Sequence, residues 1–264
     1  MENISVAEYA TSADGTRLAF ERLGSGPPLV VVSGALTDRR MVVPAMGALG
    51  AYFTIYAYDR RGRGESEDRQ PYAPEREVED VAAIIAAAGG RTFLFGHSSG
   101  ACIALEAAAA GAGIRKVAAY EPPYTIDPER QRLTAQVEAE VRELVAAGRP
   151  GDAIALFNER AVGMPKEAIE AWRADPSFAM FEAIGVTLPH DLALGRGGVM
   201  PAQRLATIDV PALILGGEDS WPWMHDTVHA VTAAIPHASS RLLPGQTHGA
   251  APEALDPVLR EFFT

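Results

Sequence analysis

A serine in a glycine-flanked turn is the residue of this sequence whose setting points most directly to chemistry. Residues 96–100 read GHSSG, which fits the pattern G-x-S-x-G with Ser98 at its centre. The turn follows a short apolar run and opens a stretch of small apolar residues, which is the strand–turn–helix setting of a nucleophile elbow. The glycines leave room for a strained backbone that projects the serine hydroxyl above the edge of a sheet. The pattern predicts Ser98 as a nucleophile.

A serine hydroxyl needs a base, and that base needs an acid to orient it. His248 lies in residues 245–249 (GQTHG), which we expect to form the loop between the last strand and the last helix. We therefore predict His248 as the base. The five other histidines lie next to Ser98, in the helical insert, or in or just beyond a predicted helix: His97, His190, His225, His229 and His237.

A carboxylate that directly follows a buried strand is the best candidate for the acid. Asp219 comes directly after the apolar run at residues 212–216 (ALILG). Functional groups of an open α/β sheet lie at the carboxyl ends of its parallel strands, so we predict Asp219 as the acid. Its neighbour Glu218 is the main alternative. Glu121, which ends another predicted strand, is interpreted as structural.

The negatively charged oxygen that forms during acyl transfer needs two fixed N–H donors. The amide of Ser99, at the start of the helix that follows the nucleophile, is expected to be one of them. The other is expected in the loop after residues 28–33 (PLVVVS), where Ala35 is our choice. Both donors are backbone groups, so the side chains at these positions carry little information.

Alternating strand and helix patterns predict the elements that position these residues. Short apolar runs typical of strands buried on both faces occur at residues 28–33, 52–59, 92–96, 116–120 and 211–216. The fold class is therefore α/β, with a mostly parallel twisted sheet and helices on both of its faces. Residues 125–205 lack strand signals and read as short helices. We predict a core formed by residues 1–124 and 206–264, with a helical cap at 125–205 inserted into it.

Composition and charge exclude several classes of function. The chain has 264 residues and a net charge of −11, so a nucleic-acid or anionic-lipid partner is not expected. Its single cysteine, Cys102, excludes an intrachain disulfide and a zinc site of several thiolates. His225 and His229 have the spacing of two helical zinc ligands, but no third ligand is evident, so no metal site is predicted. No apolar run is long enough to span a membrane, and the first five residues do not resemble a signal peptide, which predicts a cytoplasmic protein.

Taken together, these motifs resemble those of the α/β-hydrolase superfamily, in its single-domain form with a helical cap. Residues 59–66 (DRRGRGES) are similar to the D-x-R-G-x-G-x-S turn of that family, and the elbow, Asp219 and His248 follow in the family's order. The resemblance implies the roles assigned above and a reaction that needs no cofactor. It departs from the family at Ser33, where His usually precedes the glycine, which leaves the bracing of that loop open.

We therefore expect a serine hydrolase that cleaves small carboxylic esters or lactones through an acyl-enzyme, as a monomer or homodimer. The apolar side chains expected to line its pocket are Leu36, Trp221, Trp172, Phe178 and Phe181. The same residues would also serve a cofactor-free haloperoxidase or perhydrolase, a carbon–carbon hydrolase, a thioesterase or an acyltransferase. A receptor that uses a hydrolase-like pocket only for recognition is a further alternative.

Overall fold

A sheet of eight strands runs through the computed structural model, which describes residues 7–195 and 198–264. Within those residues the strands are β1 (Glu8–Thr11), β2 (Arg17–Gly24), β3 (Pro28–Val32), β4 (Thr54–Tyr58), β5 (Thr92–His97), β6 (Ile114–Tyr120), β7 (Ala212–Gly217) and β8 (Ala238–Leu243). Their order across the sheet is β1-β2-β4-β3-β5-β6-β7-β8.

The sheet is mostly parallel, which confirms the fold class predicted from the sequence. At one edge β1 pairs antiparallel with β2, and β2 pairs antiparallel with β4. Every other pairing, from β4 to β8, is parallel. Because the carboxyl ends of parallel strands meet at one edge, the loops after β3, β5, β6, β7 and β8 gather there.

Eleven α-helices occur in the described residues, and they cover both faces of the sheet. They are α1 (Arg39–Ala45), α2 (Pro74–Ala87), α3 (Ser99–Ala109), α4 (Pro128–Ala146), α5 (Pro150–Phe157), α6 (Lys166–Arg173), α7 (Phe178–Gly185), α8 (Leu188–Leu194), α9 (Ala202–Leu205), α10 (Pro222–Ala234) and α11 (Pro252–Phe263). Side chains of α2, α3 and α10 form one core with the sheet, and side chains of α1 and α11 form the other. Strands such as β3 are therefore apolar throughout, since both of their faces are covered.

Six of these helices, α4 to α9, lie between β6 and β7, and we call them the insert helices. The first of them begins at Asp127, whose carboxylate accepts hydrogen bonds from the amides of Glu129 and Arg130, with Pro128 in the first turn. A third apolar cluster joins these helices to Leu36, in the loop after β3. The predicted boundaries of the cap, at residues 125 and 205, stay a prediction.

Two features of the chain bear on a membrane location. Residues 1–5, from which the sequence analysis inferred the lack of a signal peptide, lie outside the described residues. Within the described part of the chain, no helix combines the length and apolar character that crossing a bilayer requires.

Candidate active site

The nucleophile elbow forms as the sequence predicts, with Ser98 between β5 and α3. Its φ of 56° lies in the left-handed region, which costs free energy for any residue except glycine. The flanking glycines make this geometry possible. A Cβ on Gly100 would lie 2.3 Å from the carbonyl oxygen of Val32, and a Cβ on Gly96 would lie 2.3 Å from the carbonyl oxygen of Gly100.

Ser98 and His248 are brought together, although 150 positions separate them in the sequence. The Oγ of Ser98 lies 3.0 Å from the Nε2 of His248, which is within hydrogen-bond distance. His248 reaches this position from the segment between β8 and α11. The predicted nucleophile and base are therefore correctly placed for proton transfer.

The acid that contacts His248 is Glu121, and the sequence-based prediction of Asp219 is wrong. The Nδ1 of His248 lies 2.6 Å from the Oε2 of Glu121. Asp219 is exposed, and its backbone amide donates to the carbonyl of Gln246. The alternative, Glu218, is also exposed. The physical reason is the placement of the two side chains, because Glu121 directly follows β6 and is fully buried against His248, whereas Asp219 lies two residues beyond the end of β7 and is exposed to solvent.

Glu121 is fully buried and held by several hydrogen bonds. Its Oε1 accepts from the amide of Gly217 at 2.8 Å, and its own φ of 48° is also left-handed. Burial acts to raise the pKa of Glu121, but the hydrogen bonds from His248 and Gly217 outweigh it, so the pKa lies below its usual value. The carboxylate is thus ionised at neutral pH.

This arrangement fixes which ring nitrogen of His248 carries the proton. A carboxylate only accepts hydrogen bonds, so Nδ1 donates to Glu121 and Nε2 is left as an acceptor for the hydroxyl of Ser98. His97 adds a further restraint, because its Nε2 donates to the carbonyl of His248 at 2.8 Å. Burial, the main cause, and the nearby His248, the second cause, lower the pKa of His97 to about 4, so the ring of His97 is neutral at pH 7.

The predicted oxyanion donors line the same cavity as Ser98. Ser99 is the first residue of α3, and Ala35 lies in the loop after β3. Among the backbone hydrogen bonds of the described residues, none is donated by the amide of Ala35 or Ser99. Their role as oxyanion donors stays a prediction.

Two buried arginines brace the loop that carries Ala35. The Nη1 of Arg63 donates to the carbonyls of Gly34, at 2.6 Å, and Thr37, at 3.1 Å. The Nη1 of Arg60 donates to the carbonyl of Ser33 at 3.2 Å, and the Ser33 hydroxyl donates to the carbonyl of Thr37. The bracing that the sequence left open is therefore supplied by the arginines of the residue 59–66 turn.

One aspartate of the insert helices pairs with both arginines, and Glu77, which pairs with Arg60 at 2.7 Å, supplies the second negative charge. Asp191, in α8, pairs with Arg60 at 2.7 Å and with Arg63 at 2.6 Å, and it also accepts from the hydroxyl of Ser99. Burial acts to raise the pKa of Asp191, but Arg63 and Arg60 outweigh it and lower the pKa to about 2. This carboxylate ties an insert helix to the first residue after the nucleophile.

A cavity of about 100 Å³ adjoins Ser98 and His248. Of the five predicted pocket residues, only Trp221 lines it. The other four lie in the apolar cluster of the insert helices, where the ring of Trp172 packs edge-on against Phe178 and Phe181 and Leu36 is buried. Lining residues that the sequence analysis missed include Arg130, Phe157 and Leu192.

Within the described residues, no group of three or more His, Cys, Asp or Glu side chains is arranged to hold a metal ion.

The functional residues that the sequence analysis missed differ in how far the sequence could have indicated them. Glu121 obeys the same strand-end rule that selected Asp219, so the rule itself could have found it. Nothing in the local sequence indicates that Arg130 lines the cavity.

Comparison with known proteins shows similarity to one family, one solved structure and two further relatives. Residues 29–260 match the family described as "Alpha/beta hydrolase family". An alpha/beta hydrolase of known crystal structure from Sphaerobacter thermophilus is 44% identical, with a TM-score of 0.91, covering 97% of this chain and 100% of that chain. N-formylmaleamate deformylase from Pseudomonas putida is 33% identical, but the match spans only 58% of this chain and 59% of that relative. A non-heme haloperoxidase from Rhodococcus erythropolis is 27% identical over 91% of this chain and 92% of its own length.

Proposed function

Because this chain belongs to the alpha/beta hydrolase family, we propose that it is a serine hydrolase that cleaves small carboxylic esters or lactones. The observation that carries the proposal is the relay from Ser98 through His248 to Glu121, with contacts of 3.0 and 2.6 Å. Such a relay activates a hydroxyl for attack on an acyl carbonyl. The cavity of about 100 Å³ beside Ser98 supports a small substrate.

The first half of the reaction transfers the acyl group to the enzyme. The Oγ of Ser98 forms a bond to the substrate carbonyl carbon while its proton passes to the Nε2 of His248. Glu121 stabilises the resulting imidazolium through Nδ1, and the amides of Ala35 and Ser99 donate to the oxyanion. The bond to the leaving alcohol then breaks, and His248 returns the proton to that alcohol.

The second half releases the acid. Water takes the place of the alcohol, gives a proton to the Nε2 of His248, and attacks the carbonyl carbon of the acyl-enzyme. The intermediate collapses with cleavage of the bond to Ser98, whose oxygen recovers the proton from His248. The product is the free carboxylic acid.

Labelling with a fluorophosphonate tests the proposal most directly. We expect the reagent to modify Ser98, as located by peptide mapping, and the protein to turn over p-nitrophenyl butyrate many times. Ser98→Ala should abolish labelling and lower kcat by on the order of 10⁵–10⁶. Ser239→Ala, an exposed serine on β8, is the matched control and should behave as the wild type. Labelling at another residue, or a Ser98→Ala variant that keeps a tenth of the rate, would refute the assignment.

A second candidate is cofactor-free haloperoxidase or perhydrolase activity on the same residues. The similarity to the Rhodococcus haloperoxidase along almost the whole chain supports it. In this reaction hydrogen peroxide replaces water as the attacking group on an acetyl-enzyme, which gives a peracid that oxidises halide. Peroxide-dependent bromination in acetate buffer, lost in Ser98→Ala, would favour it over ester hydrolysis if its rate exceeds that on esters.

A further inference from the structure

Within residues 7–195 and 198–264, one positively charged arginine side chain lines the cavity beside Ser98. Arg130, in the first turns of α4, is the only Lys or Arg among the described residues that line it. The other charged lining residue, Asp191, is already neutralised by Arg60 and Arg63. Among the residues that the structure describes, the unpaired positive charge at the cavity is therefore that of the Arg130 guanidinium.

The contacts of Arg130 hold its guanidinium in place but leave its charge unpaired. The carbon at its centre lies 3.6 Å from the ring centre of Trp223, and its Nη2 donates to the carbonyl of Ala161 at 2.9 Å. No carboxylate of the described residues forms an ion pair with it. The carboxylate of Asp127, close in sequence, is occupied by the amides at the start of α4.

A half-buried guanidinium in this state is poorly solvated. Burial lowers the pKa of Arg130, and the charge of Asp127 offsets only part of that effect. A guanidinium has five N–H donors in a planar fork, and a single backbone carbonyl uses one of them. The remaining donors suit a carboxylate, which pairs with an arginine through two parallel hydrogen bonds.

The position of Arg130 relative to the reacting atoms follows from a row of rings. Trp223 stacks on Trp221 with ring centres 5.8 Å apart, and Trp221 lies 5.5 Å from the ring of His248. Arg130 stacks on Trp223, at the far end of this row. A substrate whose anionic group binds Arg130 while its carbonyl lies beside Ser98 must therefore have several bonds between these two groups.

We propose that Arg130 is a binding residue for a carboxylate of the substrate, so that the natural substrate is an ester or lactone that also carries a free carboxylate. This inference rests on the proposed function, and it adds the substrate class. With a net charge of −11 the protein as a whole repels anions, so binding of such a substrate depends on this local positive charge.

Matched esters with and without the charge test the proposal. The monomethyl esters of succinate, glutarate and adipate are compared with methyl butyrate, methyl pentanoate and dimethyl glutarate in a pH-stat. We expect the wild type to prefer one or more of the half-esters in kcat/KM by tenfold or more. Arg130→Met should lower kcat/KM for the half-esters by about 10- to 100-fold and for the neutral esters by less than threefold.

Two further variants separate charge from packing. Arg130→Lys keeps the charge but lacks the planar fork, so we expect part of the half-ester preference to remain. Arg132→Met, an exposed arginine of the same helix, should leave both substrate series unchanged. If Arg130→Met lowers kcat/KM equally for half-esters and neutral esters, Arg130 has a structural role and the proposal is overturned. A wild type that does not prefer half-esters would also overturn the proposal.

Binding without turnover separates this inference from the proposed function. In the Ser98→Ala protein, calorimetric titration with glutarate or adipate should detect binding that Arg130→Met removes. If no ester is hydrolysed but this binding is found, the proposed function fails and the carboxylate site stands. If esters are hydrolysed but neither dicarboxylate binds, or inorganic phosphate alone binds, the carboxylate site is refuted and the proposed function stands.

Discussion

Replacing Glu121 by glutamine is the sharpest test of how His248 is oriented. Glutamine keeps the length and shape of the side chain but has one acceptor and one donor group in place of two acceptors. Both partners of Glu121 are donors in the structure, namely the amide of Gly217 at 2.8 Å and the Nδ1 of His248 at 2.6 Å. The variant can therefore satisfy only one of them.

The partner that loses its acceptor should be His248. The amide of Gly217 cannot become an acceptor, whereas the imidazole of His248 can move its proton from Nδ1 to Nε2. We expect the glutamine oxygen to face Gly217 and its NH₂ group to face Nδ1. The proton then lies on Nε2, which can no longer accept the proton of Ser98. The expected loss in kcat is about 10³–10⁴-fold, or about 4–5.5 kcal/mol of transition-state stabilisation.

The assay compares kcat and KM for p-nitrophenyl butyrate between the wild type, Glu121→Gln and Asp219→Asn. Asp219→Asn is the matched control, because it removes the exposed carboxylate that the sequence pattern favoured and should change kcat less than threefold. Circular dichroism and thermal melting confirm that the variants fold. A larger loss in Asp219→Asn than in Glu121→Gln, or a loss below tenfold in Glu121→Gln, would refute the reasoning.

Three further predictions concern stability. Gly100→Ala should lower the free energy of unfolding, measured with urea, by about 2–3 kcal/mol or more, because its Cβ would lie 2.3 Å from the Val32 carbonyl oxygen. Gly47→Ala is the control, because a Cβ at Gly47 meets open space, and equal losses in the two variants would contradict the steric explanation. Asp191→Asn should lower the free energy of unfolding by about 3–5 kcal/mol, because it leaves buried positive charge unpaired, and a loss below 1 kcal/mol would count against the network. The wild type should lose stability as the pH falls from about 4, the pKa of an aspartate in the unfolded state, towards about 2, the pKa of Asp191 in the folded state, and the variant should not show this loss. Because the pKa of His97 is lowered from 6.5 to about 4, its contribution to the free energy of unfolding is complete above pH 6.5 and is lost as the pH falls towards 4. His97→Gln should therefore flatten the curve of stability against pH between 6.5 and 4, and an unchanged slope would contradict the assignment.

Local pattern was sufficient to predict the elbow and the base. Ser98 is identified by its neighbours in sequence, and His248 by elimination among six histidines and by its place after the last strand. Both inferences use short-range signals, namely glycine spacing, apolar strands and the order of elements. The mostly parallel sheet follows from the same alternation of strands and helices, and the structure confirms it.

The choice of acid depended on information that the local pattern does not contain. Glu121 and Asp219 each follow a buried parallel strand, so the strand-end rule applies equally to both. What separates them in the structure is burial, because the carboxylate of Glu121 is buried against His248, whereas the side chain of Asp219 is exposed to solvent. Glu121 was interpreted from the sequence as structural. Its left-handed backbone, which marks a strained position, is seen only in the structure.

The insert helices were the least predictable part of the site. Periodicity identified apolar residues such as Trp172 and Phe178, but it could not distinguish a side chain that packs against a neighbouring helix from one that lines the cavity. The pairing of Arg60 and Arg63 with Asp191 spans 131 and 128 positions. No motif of fixed spacing reports a contact at that range, because it depends on where α8 docks.

The ion pairs of Asp191 have a consequence for efforts to retarget this protein. They join α8 to the arginines that hold the loop of Ala35, and a hydrogen bond from the Ser99 hydroxyl to Asp191 joins α8 to the residue directly after Ser98. Libraries that randomise α8 would disturb the catalytic backbone together with substrate choice. Substitutions confined to the cavity-facing positions of α4 and α5 would change which substrates bind. They would leave the contacts of Asp191, and the catalytic backbone that these contacts hold, in place.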